Sequence, residues 1–274
     1  MKYEFRATAR LFLPMYLLLI VLAGINRLFL ELSDNQMFHL FEGNRVLEEL
    51  LNVMTFSVTM LYVFGVLALF ILTFVIFIYR FYRNLLGDEG YLMMTLPVTA
   101  NQNLWAKLHT SVIWSVASFV VCVLSLCILL LSPSDIDWIV QIVPNFFQKF
   151  LLIDSTMMFH LICYGIEFVI LMIASLYANV VFYYACLAIG HRLSRKHRLL
   201  SAIGAYLILS FILQIVSTIL FVIFGVSMDT FFPTIAPELV LHIMLIGMIL
   251  LSVVEWIVFF FITSNTLHKH LNLE

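Results

Sequence analysis

Three stretches of this chain, residues 50–79, 108–134 and 199–228, contain no Asp, Glu, Lys or Arg. Two more carry one charge each: Glu167 between Asp154 and Arg192, and Glu255 between Glu238 and Lys269. A membrane-crossing helix needs about 20 apolar residues, so each of these five stretches holds one. A sixth, residues 11–31, is less clean, with Asn26, Arg27 and Glu31 at its far end. The spans are predicted at about 11–31, 53–79, 109–132, 162–189, 201–226 and 239–264. Only 11% of the residues are charged, against about 25% in a soluble domain. Too few charges remain to build a water-facing surface, and mean hydropathy is +1.09. Lipid satisfies no backbone polar group, which leaves helices or a closed barrel. Strand-length alternation is absent, so the expected fold is all-α, a single six-span domain over residues 1–274. It has an N-terminal interfacial helix and a short helix in the loop after the second span.

Basic residues set the orientation. Residues 1–10, 80–108, 190–200 and 265–274 hold eleven Lys/Arg and four Asp/Glu. The alternate segments 32–52, 133–160 and 227–238 hold two Lys/Arg and nine Asp/Glu. The first set is expected to be cytoplasmic, with both termini inside, which agrees with an even number of spans.

The apolar stretch at the N-terminus is too long for a signal-peptide core and lacks a small-residue cleavage site, so it reads as a retained span. Before it, Lys2, Arg6 and Arg10 share one helix face and Phe5, Ala9 and Phe12 another. That pattern suits a helix lying in the interface, with a bend at Pro14 into the first span. Residues 133–160 form a second amphipathic segment, carrying Trp138, Phe146, Phe147 and Phe150. Cys122, Cys127, Cys163 and Cys186 all fall inside apolar runs and read as small buried hydrophobes. No basic, aromatic-interleaved patch of the nucleic-acid kind occurs.

The loop after the second span reads RFYRNLLGDEGYLMMTLPVTANQNLWAKLH. Arg80 and Arg83 close the span, Asp88 and Glu89 suit the positive end of a short helix, and Pro97 ends it. Thr99 can cap the next helix. Tyr91, Leu92, Met93 and Leu96 would present apolar surface with no core of their own, so the segment needs a partner or the membrane surface. The pattern Asp88-Glu89-Gly90, Leu92, Leu96-Pro97-Val98-Thr99, then Lys107, resembles the E-x-G-x-L-x-x-x-x-L-P-V-S/T…K loop of type 2 ABC transporter permeases. Within that class it more closely resembles the small permeases common in Gram-positive anaerobes. Residues 188–193 (AIGHRL) with Lys196-His197-Arg198 and 202–206 (AIGAY), and the C-terminal KHLNLE, are similar too.

The resemblance implies a bacterial cell-membrane protein in which two permease chains, identical or different, form one pathway. Two ATPase subunits dock on its cytoplasmic face, and ATP and Mg belong to those subunits. Asp88, Glu89, Gly90, Tyr91, Leu92, Met93, Leu96 and Pro97 would be the coupling helix seated in the ATPase. Arg192, Arg195, Lys196 and Arg198 would form the second cytoplasmic loop. The implied activity is export of an amphiphile such as a peptide or a lipid. One departure is the short segment 227–238, where many members carry a sizeable re-entrant hairpin; Pro233 and Pro237 lie there.

The chain has no G-x-x-x-x-G-K-[ST] phosphate loop, no G-x-S-x-G and no H-E-x-x-H. It is therefore expected to hydrolyse nothing itself and to bind no cofactor or metal. His191, His197, His268 and His270 read as part of the basic segments. A charged group at a span's centre costs about 2.5–3.5 kcal/mol on insertion scales, which singles out Glu255. It either lines the transport path or a dimer seam, or hydrogen-bonds a neighbouring span at Asn179 or Gln214. Glu167, nearer the outer end, can reach the interface. Arg27 and Glu31 are expected to pair or to snorkel. An ion-coupled carrier using Glu167 and Glu255 is the alternative, but the internal repeat and broken helices of many carriers are not found.

Overall fold

The computed structural model describes residues 2–34, 45–87, 90, 98–131, 140–145, 148, 150, 152, 154–194, 197–231 and 236–269. Six long helices make up almost all of it: α1 (Lys2–Asp34), α2 (Arg45–Phe81), α3 (Ala100–Leu130), α4 (Ser155–Leu193), α5 (Arg198–Phe231) and α6 (Pro237–Lys269). All six are long and apolar enough to cross a membrane, so the chain is a multi-pass helical membrane protein.

The helices outrun the spans read from the sequence. They contain 31 to 39 residues, or about 46–58 Å at 1.5 Å per residue, against a hydrocarbon core of about 30 Å. The extra turns come from flanking residues such as Glu4, Arg6, Glu48 and Glu49, which are charged yet favour helix. The expected bend at Pro14 is not a break. α1 runs through it, with Phe12 on one side and Tyr16 on the other both buried. Side chains anchored on both sides hold the helix across the hydrogen bond that Pro14 cannot donate. Pro237 instead occupies the first position of α6, where a missing N–H costs nothing. Residues 140–145 are helical, whereas Trp138, Phe146, Phe147 and Pro233 lie outside the described residues.

The chain divides into two compact units. The first comprises residues 1–77 and 113–149. Its core gathers Phe12, Tyr16, Leu19, Ala23, Tyr62, Leu69, Phe77 and Trp114. Phe5 and Phe12 both stack on Trp114, at 4.8 and 4.7 Å between ring centroids. Polar side chains tie the helices where lipid offers nothing. Tyr16 Oη shares a proton with Ser118 Oγ at 2.8 Å, which also meets Thr73 Oγ1 at 3.1 Å. Tyr62 Oη pairs with Ser125 Oγ at 2.9 Å, and Thr59 donates to Asn26 Oδ1 at 2.9 Å. Arg27 and Glu31 pair at 2.9 Å as expected, and Arg27 also donates to the Leu129 carbonyl at 3.1 Å.

The second unit, residues 78–112 and 150–274, is packed at one end. Its core joins the last turns of α2, the first three of α3, the C-terminal third of α4, Ala202 of α5 and Phe259 and Leu267 of α6. Phe81 stacks on Tyr184 at 4.0 Å, and Tyr184 Oη meets Ser111 Oγ at 2.7 Å. Trp105 stands edge-on to Trp256. At Gly190 the backbones of α4 and α5 come so close that an added Cβ would lie 2.4 Å from Ala202 Cα. Beyond this end, α4 to α6 expose Phe168, Val169, Phe211, Phe221 and Leu250, among many other apolar side chains. Such faces fit lipid or another protein, not water.

Candidate functional site

Two loops and a helix end rise from the packed base of the second unit. α2 does not stop at Phe81. It loosens into a π-helical turn, Tyr82–Leu86, whose Leu85 and Leu86 are buried. The Gly87 N–H closes it on the Tyr82 carbonyl at 2.7 Å, and the Gly90 N–H then donates to the Gly87 carbonyl at 2.8 Å. α3 begins with the reciprocal cap expected of Thr99. The Gln102 N–H donates to Thr99 Oγ1 at 3.3 Å, and the Thr99 N–H to Gln102 Oε1 at 3.1 Å. Ala100 and Leu104, one turn in, are buried. The helix ends on either side of residues 88–97 are thus both fixed in one core. Of the predicted contact residues in that stretch, Gly90 is buried; Asp88, Glu89, Tyr91, Leu92, Met93, Leu96 and Pro97 lie outside the described residues. Lys107 is buried, and Arg83 donates to Tyr79 Oη at 2.9 Å while lying 5.9 Å from its ring centroid.

The second loop is a tight hairpin between α4 and α5. Ser194 caps α4 by donating to the Gly190 carbonyl at 3.3 Å, and its Oγ accepts the His197 N–H at 3.1 Å. Arg192 is exposed and Arg198 half-buried; Arg195 and Lys196 lie outside the described residues. The last turns of α6 join the same base, where Ser264 Oγ donates to Asn101 Oδ1 at 2.5 Å.

The intramembrane carboxylates part company. Glu255 is half-buried on α6 and, among the described residues, has no hydrogen-bond or ion-pair partner. Neither Asn179 nor Gln214 takes that role, since both are exposed, and Asn179 Nδ2 donates instead to the Ser175 carbonyl at 2.8 Å. Glu167 is held by a residue that sequence reasoning missed. His242 Nδ1 lies 2.7 and 2.9 Å from its two carboxylate oxygens. The other nitrogen of His242, Nε2, lies 2.9 Å from His160 Nδ1. Tyr164 covers the pair, its ring 4.2 Å from that of His242 and its hydroxyl donating to the Glu238 carbonyl at 2.8 Å. His160, Tyr164 and Glu167 stand at i, i+4 and i+7, one face of α4, the only local signal available. His242 is 13 residues before Glu255, about 20 Å along the helix, so Glu167 and Glu255 do not share a site.

Comparison with protein-family models, with curated proteins and with solved structures finds no match.

Proposed function

We infer that the chain is the membrane-spanning permease subunit of an ATP-driven ABC exporter, working as a pair of permease chains with separate ATPase subunits. One observation carries this. The two basic loops and the end of α6 spring from a single packed base, while the remaining lengths of α4 to α6 keep their apolar faces exposed. A rigid base under short loops suits the transmission of force from a docked ATPase, and unpacked apolar lengths suit helices that move against lipid or a second chain. The loop pattern from Asp88 to Lys107 supports the same reading. On it, residues 88–97 seat in the ATPase, the basic loops face the cytoplasm with both termini, and ATP and Mg stay with the partner. The substrate is an amphiphile, such as a peptide or a lipid, taken along an apolar path.

The test is co-expression with neighbouring reading frames. A P-loop ATPase should co-purify, and its hydrolysis should respond to this chain and to candidate amphiphiles. Glu89→Lys should weaken assembly or abolish that response. An ATPase that neither binds nor responds, with transport intact, would reject the assignment.

A further inference from the structure

The Glu167, His242 and His160 chain lies at the end of α4 and α6 away from the packed base. Glu167 is 26 residues from Leu193, about 39 Å along α4, which puts it near the far edge of a bilayer with an overall thickness of about 40–45 Å. Glu167 and His242 are largely buried, their side chains 17% and 14% exposed. Three ionisable groups in line, at hydrogen-bond distance across two helices, are costly unless their protons are shared in a defined way.

Proton accounting fixes that way. With Glu167 ionised, both its oxygens accept, so His242 Nδ1 carries a proton. Between His242 Nε2 and His160 Nδ1, 2.9 Å apart, one proton and one lone pair must face each other. When both rings are neutral, His160 Nδ1–H donates to His242 Nε2. A proton arriving at His160 Nε2 makes that ring cationic. Its Nδ1 proton can then cross to His242 Nε2, leaving neutral His160 protonated at Nε2 and an imidazolium at His242 against the carboxylate. No bond other than N–H is made or broken, and the charge moves one ring inward.

The geometry points to a binding site for a single proton, formed by Glu167, His242 and His160, that relays the proton from His160 to the carboxylate-paired His242 and ties α4 to α6 when loaded. The groups facing it are few. From α4 they are Tyr164 and the three-residue chain's own His160 and Glu167; from α6, His242 and Glu238, whose backbone carbonyl takes the Tyr164 hydroxyl. On α5, residues 206–227 carry no Asp, Glu, Lys, Arg or His. The Glu238 carboxylate also lies within electrostatic reach of Tyr164, so Glu167, bonded directly to His242, shares the stabilisation of the loaded imidazolium with it.

The full-length chain, 15N-labelled at histidine and reconstituted in lipid nanodiscs, gives the test. Histidine spectra across the neutral and mildly acidic range should show His242 protonated at Nδ1 throughout. They should also show coupling between His160 Nδ1 and His242 Nε2, and both rings changing in one shared step. In E167Q, which keeps size and an acceptor oxygen, that step should require at least about tenfold more protons, because the opposing charge is gone. Rings that titrate in separate steps, or an E167Q step at the wild-type position, would overturn the proposal. The wild-type protein alone decides the tautomer, the coupling and the shared step, so a poorly folding E167Q does not protect the idea.

Discussion

Single atoms decide much of the second unit's packing. At Gly190 a methyl group would sit 2.4 Å from the Ala202 backbone, whereas nothing lies within 4 Å of one added at Gly204. Gly190→Ala should therefore cost about 1–3 kcal/mol, the usual range for overpacking. Gly204→Ala should be neutral or slightly stabilising, since a helical Gly is inferior to Ala by about 1 kcal/mol. Thermal unfolding of both variants in the same lipid checks the pair, and equal effects would contradict a Gly requirement at position 190. Glu255 gives the opposite expectation. No described residue loses a bond when it is neutralised, so Glu255→Gln should unfold at or above the wild-type midpoint. Any defect should then appear in transport per folded complex, measured in vesicles. A large loss of stability would mean that Glu255 has a structural partner after all.

At the scale of elements, the loop from Gly87 to Thr99 is where a substitution should separate folding from coupling. Its ends are fixed by the π-turn and the Thr99–Gln102 cap, so changes between them leave the spans intact. Glu89→Lys should reduce ATPase stimulation more than Glu89→Gln, because reversal adds repulsion where neutralisation only removes attraction. Equal wild-type stimulation in both would make the loop a plain linker. Asp154, at the start of α4 outside the spans, offers a pH-dependent counterpart. The Thr156 hydroxyl bonded to it holds its carboxyl below the usual carboxylate range. The ionised form thus favours the folded first turn above the ordinary Asp range, and this is lost as pH falls through the lowered value. Amide exchange at residues 155–158 should rise on acidification, and Asp154→Asn should remove that rise. The spans were legible because absence of charge over 20 or more residues is a local property of the chain. The start of α2 was not, because Arg45–Asn52 is polar yet still helical. The pairing of Glu167 with His242 was not legible either. It joins residues 75 positions apart, and His242 has no neighbour in sequence that marks it.

For the whole molecule, the expected topology is directly measurable. A reporter fused after Glu274 should be active only in its cytosolic form; activity of an exported reporter would reverse the orientation. The purified chain alone should hydrolyse no ATP above background, and turnover surviving removal of every other polypeptide would contradict this. The clean division of the sequence into six runs does not announce two compact units. α2 and α3 each contribute to both, so no linker composition marks the boundary. Length is the feature with the widest reach. The charge-free run 199–228 of α5 is about 45 Å long as helix, half as long again as an average hydrocarbon core of about 30 Å. Hydrophobic mismatch of that size is relieved by tilting the helix or by gathering thicker lipid around it, each at a modest cost per ångström. Bilayer thickness therefore becomes a control variable for this protein. Its thermal midpoint should climb as the acyl chains of the host vesicles are lengthened, and a membrane that thins locally should tip α5 further from the normal.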